Sequence, residues 1–241
     1  MIGILDWGIG GLSVYKALRA RGSTADVLYF SDSGFTPYGK LSREALRARL
    51  GEIANWFRER AVTRVLVGCH AASSALSPEA ETGAEAFSGV AFYSIAPAAR
   101  RVVERCVKQR VGVIGGVLTI QSGVYERALA GLGKELQFHP AQPLSAIVEA
   151  GALDLPETES EVARLLGEFN SIEALLLACT HYPALTPVFQ RLAPGVELLD
   201  PGAEMAGDVE EEGASGFEFH TTGDRASSAR AALSAFGVLL S

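Results

Sequence analysis

The sequence predicts an α/β protein built on parallel sheets, and three observations carry that expectation. Short apolar runs recur from one end of the chain to the other. Stretches of helical period lie between them, and strand–helix alternation on this scale gives sheets covered by helices on both faces. Two of the runs, Val65-Leu66-Val67-Gly68-Cys69 and Leu175-Leu176-Leu177-Ala178-Cys179, end in a cysteine. An unbroken apolar run suits a strand buried on both sides. Its polar terminus then falls at the sheet edge where open α/β folds place their ligands.

Taken in order, Ile2 to Leu5, Val27 to Phe30, Val65 to Val67 and Val90 to Ile95 read as strands of the first half. Val111 to Ile114, Leu136 to Phe138, Ile172 to Leu177 and Val196 to Leu199 read as strands of the second, and Phe217 to His220 follows near the end. Helical periods fill 11–21, 42–60, 97–107, 121–131, 143–150, 157–169, 184–192 and 226–239. These strands fit one wide sheet or two smaller doubly wound sheets. Ala96-Pro97 falls at the natural break between halves, and Asp200-Pro201-Gly202 marks a second. The acidic run from Asp208 to Glu212 reads as a solvated helix face.

Bulk properties narrow the function. A net charge of -7 argues against nucleic acid as the main partner, since phosphate contacts need clustered Lys and Arg. It leaves a small anionic substrate open, because helix N-termini bind anions without side-chain charge. Three cysteines do not make a disulfide framework. Met1 leads straight into Ile2-Gly3-Ile4-Leu5 with no basic n-region, and no apolar run approaches ~20 residues. A cytoplasmic protein without membrane contact is expected.

The first strand delivers Asp6-Trp7-Gly8-Ile9-Gly10-Gly11. Glycines there let backbone approach a ligand, and Asp32 stands roughly where a ribose-binding acid would. The dinucleotide fingerprint is incomplete, because Ser13 occupies the place of its third glycine. Asp6 also suits a plain N-cap. Thr36-Pro37-Tyr38-Gly39-Lys40 is a turn by composition, and the amides at 38 and 39 could bind a carboxylate.

In Cys179-Thr180-His181-Tyr182-Pro183, the proline is placed to open a helix whose free N–H groups favour an anion. A thiol beside those donors could ionise below ~8.5; a buried structural cysteine with a satisfied histidine is the plainer alternative. If Cys69 and Cys179 face each other across a cleft, they form a two-base pair. One thiolate removes a Cα proton while the opposite thiol delivers one, and fixed donors must stabilise the carbanion. Cys106, inside an expected helix, has no part in this. Cys69, His70, Cys179 and His181 lack zinc-ligand spacing, and a Cys–His hydrolase built on Cys179 and His181 leaves Cys69 unexplained.

The chain resembles the cofactor-independent aspartate/glutamate racemase superfamily. The resemblance rests on Ile4-Leu5-Asp6 with Gly8 to Val14, on Pro37-Tyr38-Gly39, on Cys69 to Ser73 and on Gly112 to Gly115. It continues through Thr119 to Tyr125, Ala178 to Pro183, Asp200 to Glu204 and Thr221 to Asp224. It implies two flavodoxin-like lobes, 1–96 plus 207–241 and 97–206, with the active site in the cleft between them. It also implies amino-acid racemisation, glutamate being the first substrate to try, as in peptidoglycan precursor synthesis. No cofactor is implied, and a homodimer is compatible.

By position, Cys69 and Cys179 match the acid/base pair, Asp6 the acid near the first thiol, His181 the partner of the second, and Glu149 an assisting carboxylate. Pro37, Tyr38, Gly39, Thr119 and Thr180 match substrate-anchoring positions. The family has Ser where this chain has Trp7, Asn-Thr where it has His70-Ala71, and Thr in place of Gly116. These changes bear on substrate binding and predict weak or absent glutamate turnover, with a smaller or less polar acid preferred. A superfamily lyase or isomerase, or a silent small-ligand binder, are the rival readings. His70 is read equally as a partner of the Cys69 thiol and as a packed core histidine.

Overall fold

The computed structural model describes residues 1–77 and 84–240 and contains two sheets. The first half forms β1 (Ile2–Asp6), β2 (Val27–Ser31), β3 (Arg64–Val67), β4 (Ala84–Phe87) and β5 (Val90–Ser94). The second forms β6 (Arg110–Gly115), β7 (Glu135–Pro140), β8 (Ala174–Ala178) and β9 (Glu197–Leu199), before β10 (Phe217–Thr221) returns. Strand order is β10-β2-β1-β3-β5-β4 in one sheet and β7-β6-β8-β9 in the other. All pairings are parallel except β4 with β5.

Between the strands run α1 (Leu12–Ala20), α2 (Arg43–Arg58), α3 (His70–Ala75), α4 (Ala96–Arg105), α5 (Val117–Gln121) and α6 (Val124–Ala128). The rest are α7 (Gln142–Glu149), α8 (Pro156–Leu166), α9 (Thr186–Leu192), α10 (Pro201–Met205) and α11 (Arg225–Phe236). β1, β2 and β8 are buried at every position, as continuous apolar strands between helical layers must be. One core cluster joins the halves: Ile4, Ile9 and Leu12 pack in the same group as Ile114, Leu144, Leu177 and Tyr182.

This topology positions the site. β1 pairs with β2 on one side and β3 on the other, so the connections reverse direction between β1 and β3. β6 likewise pairs with β7 and β8, and its reversal lies between β6 and β8. A crevice opens at such a switch point, at the carboxyl ends of the strands. Asp6 and Cys69 stand at one crevice, and Gly116 and Cys179 at the other.

Several expectations need correction. β4 is an additional edge strand, and its pattern alternates exposed and half-buried residues without an apolar run. The helix expected over 121–131 is two short helices, because Gly123 takes a left-handed conformation at φ 68° between them. At the expected break between halves, Ala96 and Pro97 open α4, with Ala96 fully buried. Asp200 is the N-cap of α10, its carboxylate accepting from the Gly202 amide at 2.8 Å. The acidic run is not a helix face: only its first residue lies in a 3-10 turn, and Arg101 and Arg64 hold Asp208 and Glu211 at 2.6 and 2.5 Å. Cys106 follows α4 as its C-cap, its thiol 3.6 Å from the Glu197 carboxylate.

Candidate active site

The two strand-end cysteines line one cleft of about 100 Å³. Asp6, Trp7, Pro37, Tyr38, Gly39, His70, Ala71, Thr119, Thr180 and His181 line it with them. Of the expected site residues, Glu149 alone is absent from the wall. It stands behind His181, accepting a hydrogen bond from the imidazole Nε2 at 2.6 Å. Gly116, Leu118, Gln142, Ser145 and Ala178 complete the lining. Gln142 and Ser145 had no sequence signal, since they sit on the first turn of an ordinary amphipathic helix.

On the second sheet's side, Cys179 Sγ lies 3.6 Å from His181 Nδ1, which makes a relay Cys179–His181–Glu149. Burial alone would push the imidazole pKa down, but the hydrogen bonds to Cys179 and Glu149 and their charges outweigh it, and His181 is held well above its usual value. Burial would raise Glu149, yet its bond to His181, the imidazolium charge and the Ile9 amide at 2.9 Å leave it lowered. Pro183 opens a 3-10 turn (Tyr182–Leu185) ahead of α9, and the Tyr182 hydroxyl donates to the Ala141 carbonyl at 2.8 Å.

The first sheet's side is built differently. Cys69 caps α3, and burial followed by the Asp6 charge raises its thiol pKa well above the ordinary value. Asp6 is fully buried; it accepts from the Trp7 amide at 2.6 Å and, across the cleft, from the Thr180 hydroxyl at 2.7 Å. His70 does not hold the Cys69 thiol as thiolate. Burial, reinforced by nearby His181, lowers its pKa to about 3, so it is neutral, and its Nδ1 pairs with the Tyr125 hydroxyl. The Trp7 indole N–H is turned away to the Phe35 carbonyl at 3.1 Å.

The turn at Tyr38–Lys40 is closed by the Lys40 and Leu41 amides, which donate to the Pro37 and Tyr38 carbonyls, and Tyr38 and Gly39 line the cleft. The Tyr38 hydroxyl donates to Asp32 at 2.9 Å. Asp32 is fully buried, and Arg49 and Thr222 also bond it, at 2.6 and 3.0 Å. It has no capacity left for a ribose, so the nucleotide reading of the glycine-rich turn fails.

Those glycines make room for the other sheet's side chains. A Cβ on Gly8 would stand 1.8 Å from Glu149 Oε1, and one on Gly10 would stand 2.6 Å from Thr180 Oγ1 and 2.7 Å from His181 Nδ1. Close approach, not a phosphate, is what requires glycine at these positions.

A profile of the family described as Asp/Glu/Hydantoin racemase matches residues 13–208. The chain belongs to this family. Membership makes it an isomerase of the racemase type, as the resemblance implied. It is 32% identical over 226 residues to a glutamate racemase of Aquifex aeolicus, covering 92% of this chain and 88% of that one. A solved glutamate racemase isoform of Bacillus anthracis superposes with a TM-score of 0.86 at 28% identity, covering 100% of this chain and 95% of that one. The Thermus thermophilus glutamate racemase, solved with β-chloro-D-alanine, gives 0.83 at 30% identity, covering 100% and 94%. Both agree with the two-sheet α/β architecture of this Asp/Glu racemase family member. Among the described residues no helix is long and apolar enough to cross a membrane.

Proposed function

We propose that the chain interconverts L- and D-glutamate by proton transfer at Cα between Cys69 and Cys179, with no cofactor. The observation that carries this reading is the pair of thiols lining one cleft, each following a strand at a topological switch point. In each direction one thiolate takes the Cα proton on one face and the opposite thiol delivers its proton on the other. The product then leaves a pair whose protonation is exchanged, and solvent exchange resets it. The His181–Glu149 relay stands beside Cys179 as its proton partner, while burial and the Asp6 charge favour the protonated form of Cys69. Among the described residues no Lys or Arg lines the cleft, so carboxylates and the developing carbanion rest on neutral donors, among them Thr119 and the Tyr38 and Gly39 amides. The lobes are taken as 1–96 with 207–241, and 97–206.

One feature favours a second substrate reading. Trp7, Ala71 and Leu118 make part of the wall apolar, which suits a smaller or less polar carboxylic acid. Incubation of each candidate amino acid in D₂O, read by NMR for the Cα proton and by circular dichroism for inversion, separates the two. Glutamate is expected to exchange and invert, with activity intact in EDTA. Exchange confined to another acid overturns the glutamate assignment, and activity that needs added metal overturns the two-thiol route.

A further inference from the structure

Most polar side chains in the cleft are already committed. The Thr180 hydroxyl donates to Asp6, the Tyr38 hydroxyl to Asp32, and the Trp7 indole to Phe35. Ala71 has no polar group. His70 is different: it lines the cleft, and among the described residues its Nε2 has no hydrogen-bond partner.

Its other nitrogen, Nδ1, meets the hydroxyl of Tyr125, which is 1% exposed and lies on α6, a helix of the opposite half of the molecule. A phenol has one proton to donate. Among the described residues His70 Nδ1 is the only acceptor offered to it, and a buried hydroxyl proton without an acceptor costs the full desolvation penalty. Tyr125 therefore donates and Nδ1 accepts. Burial keeps the ring neutral, so its single proton resides on Nε2.

We propose that Tyr125 is a positioning residue that fixes the Nε2–H tautomer of His70, so that a neutral imidazole donates a hydrogen bond to a carboxylate of the substrate. The opposite tautomer would turn an acceptor toward the cleft, suited to the α-ammonium group. The single phenolic proton thus decides which end of an amino acid this corner receives. The donor stands beside Ala71, where no side-chain donor is available. The proposal rests on the reading of the cleft as an amino-acid site.

The test has a spectroscopic arm and a kinetic one. In ¹⁵N–¹H correlation spectra, with His70 assigned by its loss in His70→Asn, the wild type should show the Nε2–H tautomer, and glutamate should shift that resonance. Tyr125→Phe should give a mixture of tautomers. It should also raise KM for glutamate about ten-fold, with kcat within about three-fold, the pattern of a lost binding contact. In a His70→Asn background the amide supplies its own donor, and there Tyr125→Phe should leave KM within about two-fold. A merely structural tyrosine would weaken both backgrounds alike, and that result overturns the proposal. So does an Nδ1–H tautomer in the wild type, or a His70 resonance that glutamate does not move. If no amino acid is racemised, the glutamate reading fails by itself, while the tautomer and the titration still decide this one.

Discussion

The two cysteines stand at matching places in their sheets, yet their surroundings are opposite in character. Around Cys179 the neighbouring imidazole is held protonated by Glu149, so a positive charge stands 3.6 Å from the thiol. Around Cys69 the neighbouring imidazole is neutral and the nearby charge is the Asp6 carboxylate. The same local motif, an apolar strand ending in Cys-His or Cys-x-His, has been given opposite electrostatic support. The contrast shows that symmetry of the reaction needs only two thiols on two faces. The contrast comes from what each half places beside its own thiol: Glu149 and His181 beside Cys179, Asp6 and His70 beside Cys69.

The largest effect expected from breaking this pair is the loss of either thiol. Cys69→Ala and Cys179→Ala should each lower racemisation of glutamate by about 10⁴-fold, the upper range for a positioned acid/base group. Substantial inversion surviving either change, followed by circular dichroism, would remove the two-thiol mechanism.

Next come the supports. His181→Gln should cost roughly 10²-fold in kcat/KM. Because two enantiomers are equal in free energy, kcat/KM must fall equally in both directions. The asymmetry should appear instead as a larger Cα-deuterium isotope effect in the direction where Cys179 takes the proton. Asp6→Asn is the counterpart on the other side, and it should lower the Cys69 pKa in a thiolate absorbance titration. An unchanged titration would show that Asp6 is no part of the Cys69 environment.

Polar anchors should have a smaller effect, in the favourable direction. With His70 already supplying a donor, Trp7→Ser with Ala71→Thr should raise kcat/KM on glutamate about ten-fold, the worth of one added hydrogen bond to a charged group. A wild type already fast on glutamate and slowed by this change would show that the cleft compensates for both residues.

Stability against pH sharpens the contrast further. The folded pKa of His70 is depressed to about 3, so the unfolded chain binds its proton first as pH falls. Stability is whole above roughly 6.5 and declines toward pH 3 by on the order of 1.4 kcal/mol per pH unit. His181 has the opposite sign: its raised pKa gives stability that is present below roughly 6.5 and is lost as pH rises through the folded value. Denaturant midpoints across pH should therefore show a weaker acid limb in His70→Asn and a weaker alkaline limb in His181→Gln. The smallest effect is reserved for Cys106→Ala, which should leave the rate within about three-fold, since its thiol faces Glu197 away from the cleft.

Much of this was legible along the chain. Apolar runs with interposed helical periods determined the α/β class, because a strand buried on both faces must be apolar throughout and a helix must turn one stripe inward. The same runs put Cys69 and Cys179 at strand ends, and the motifs around them carried the family. Period and motif are local signals, however, and the chemistry here depends on groups that meet from far apart. Glu149 reaches the Ile9 amide across 140 positions, and Tyr125 reaches His70 across 55. Only the tertiary structure shows that Gly8 and Gly10 make way for Glu149, Thr180 and His181, that Asp32 is consumed by Arg49, Tyr38 and Thr222, and that the histidine beside one cleft thiol is neutral while the one beside the other is charged. A pKa and a tautomer are set by burial and by the partners packed against the group, and packing alone brings those partners together.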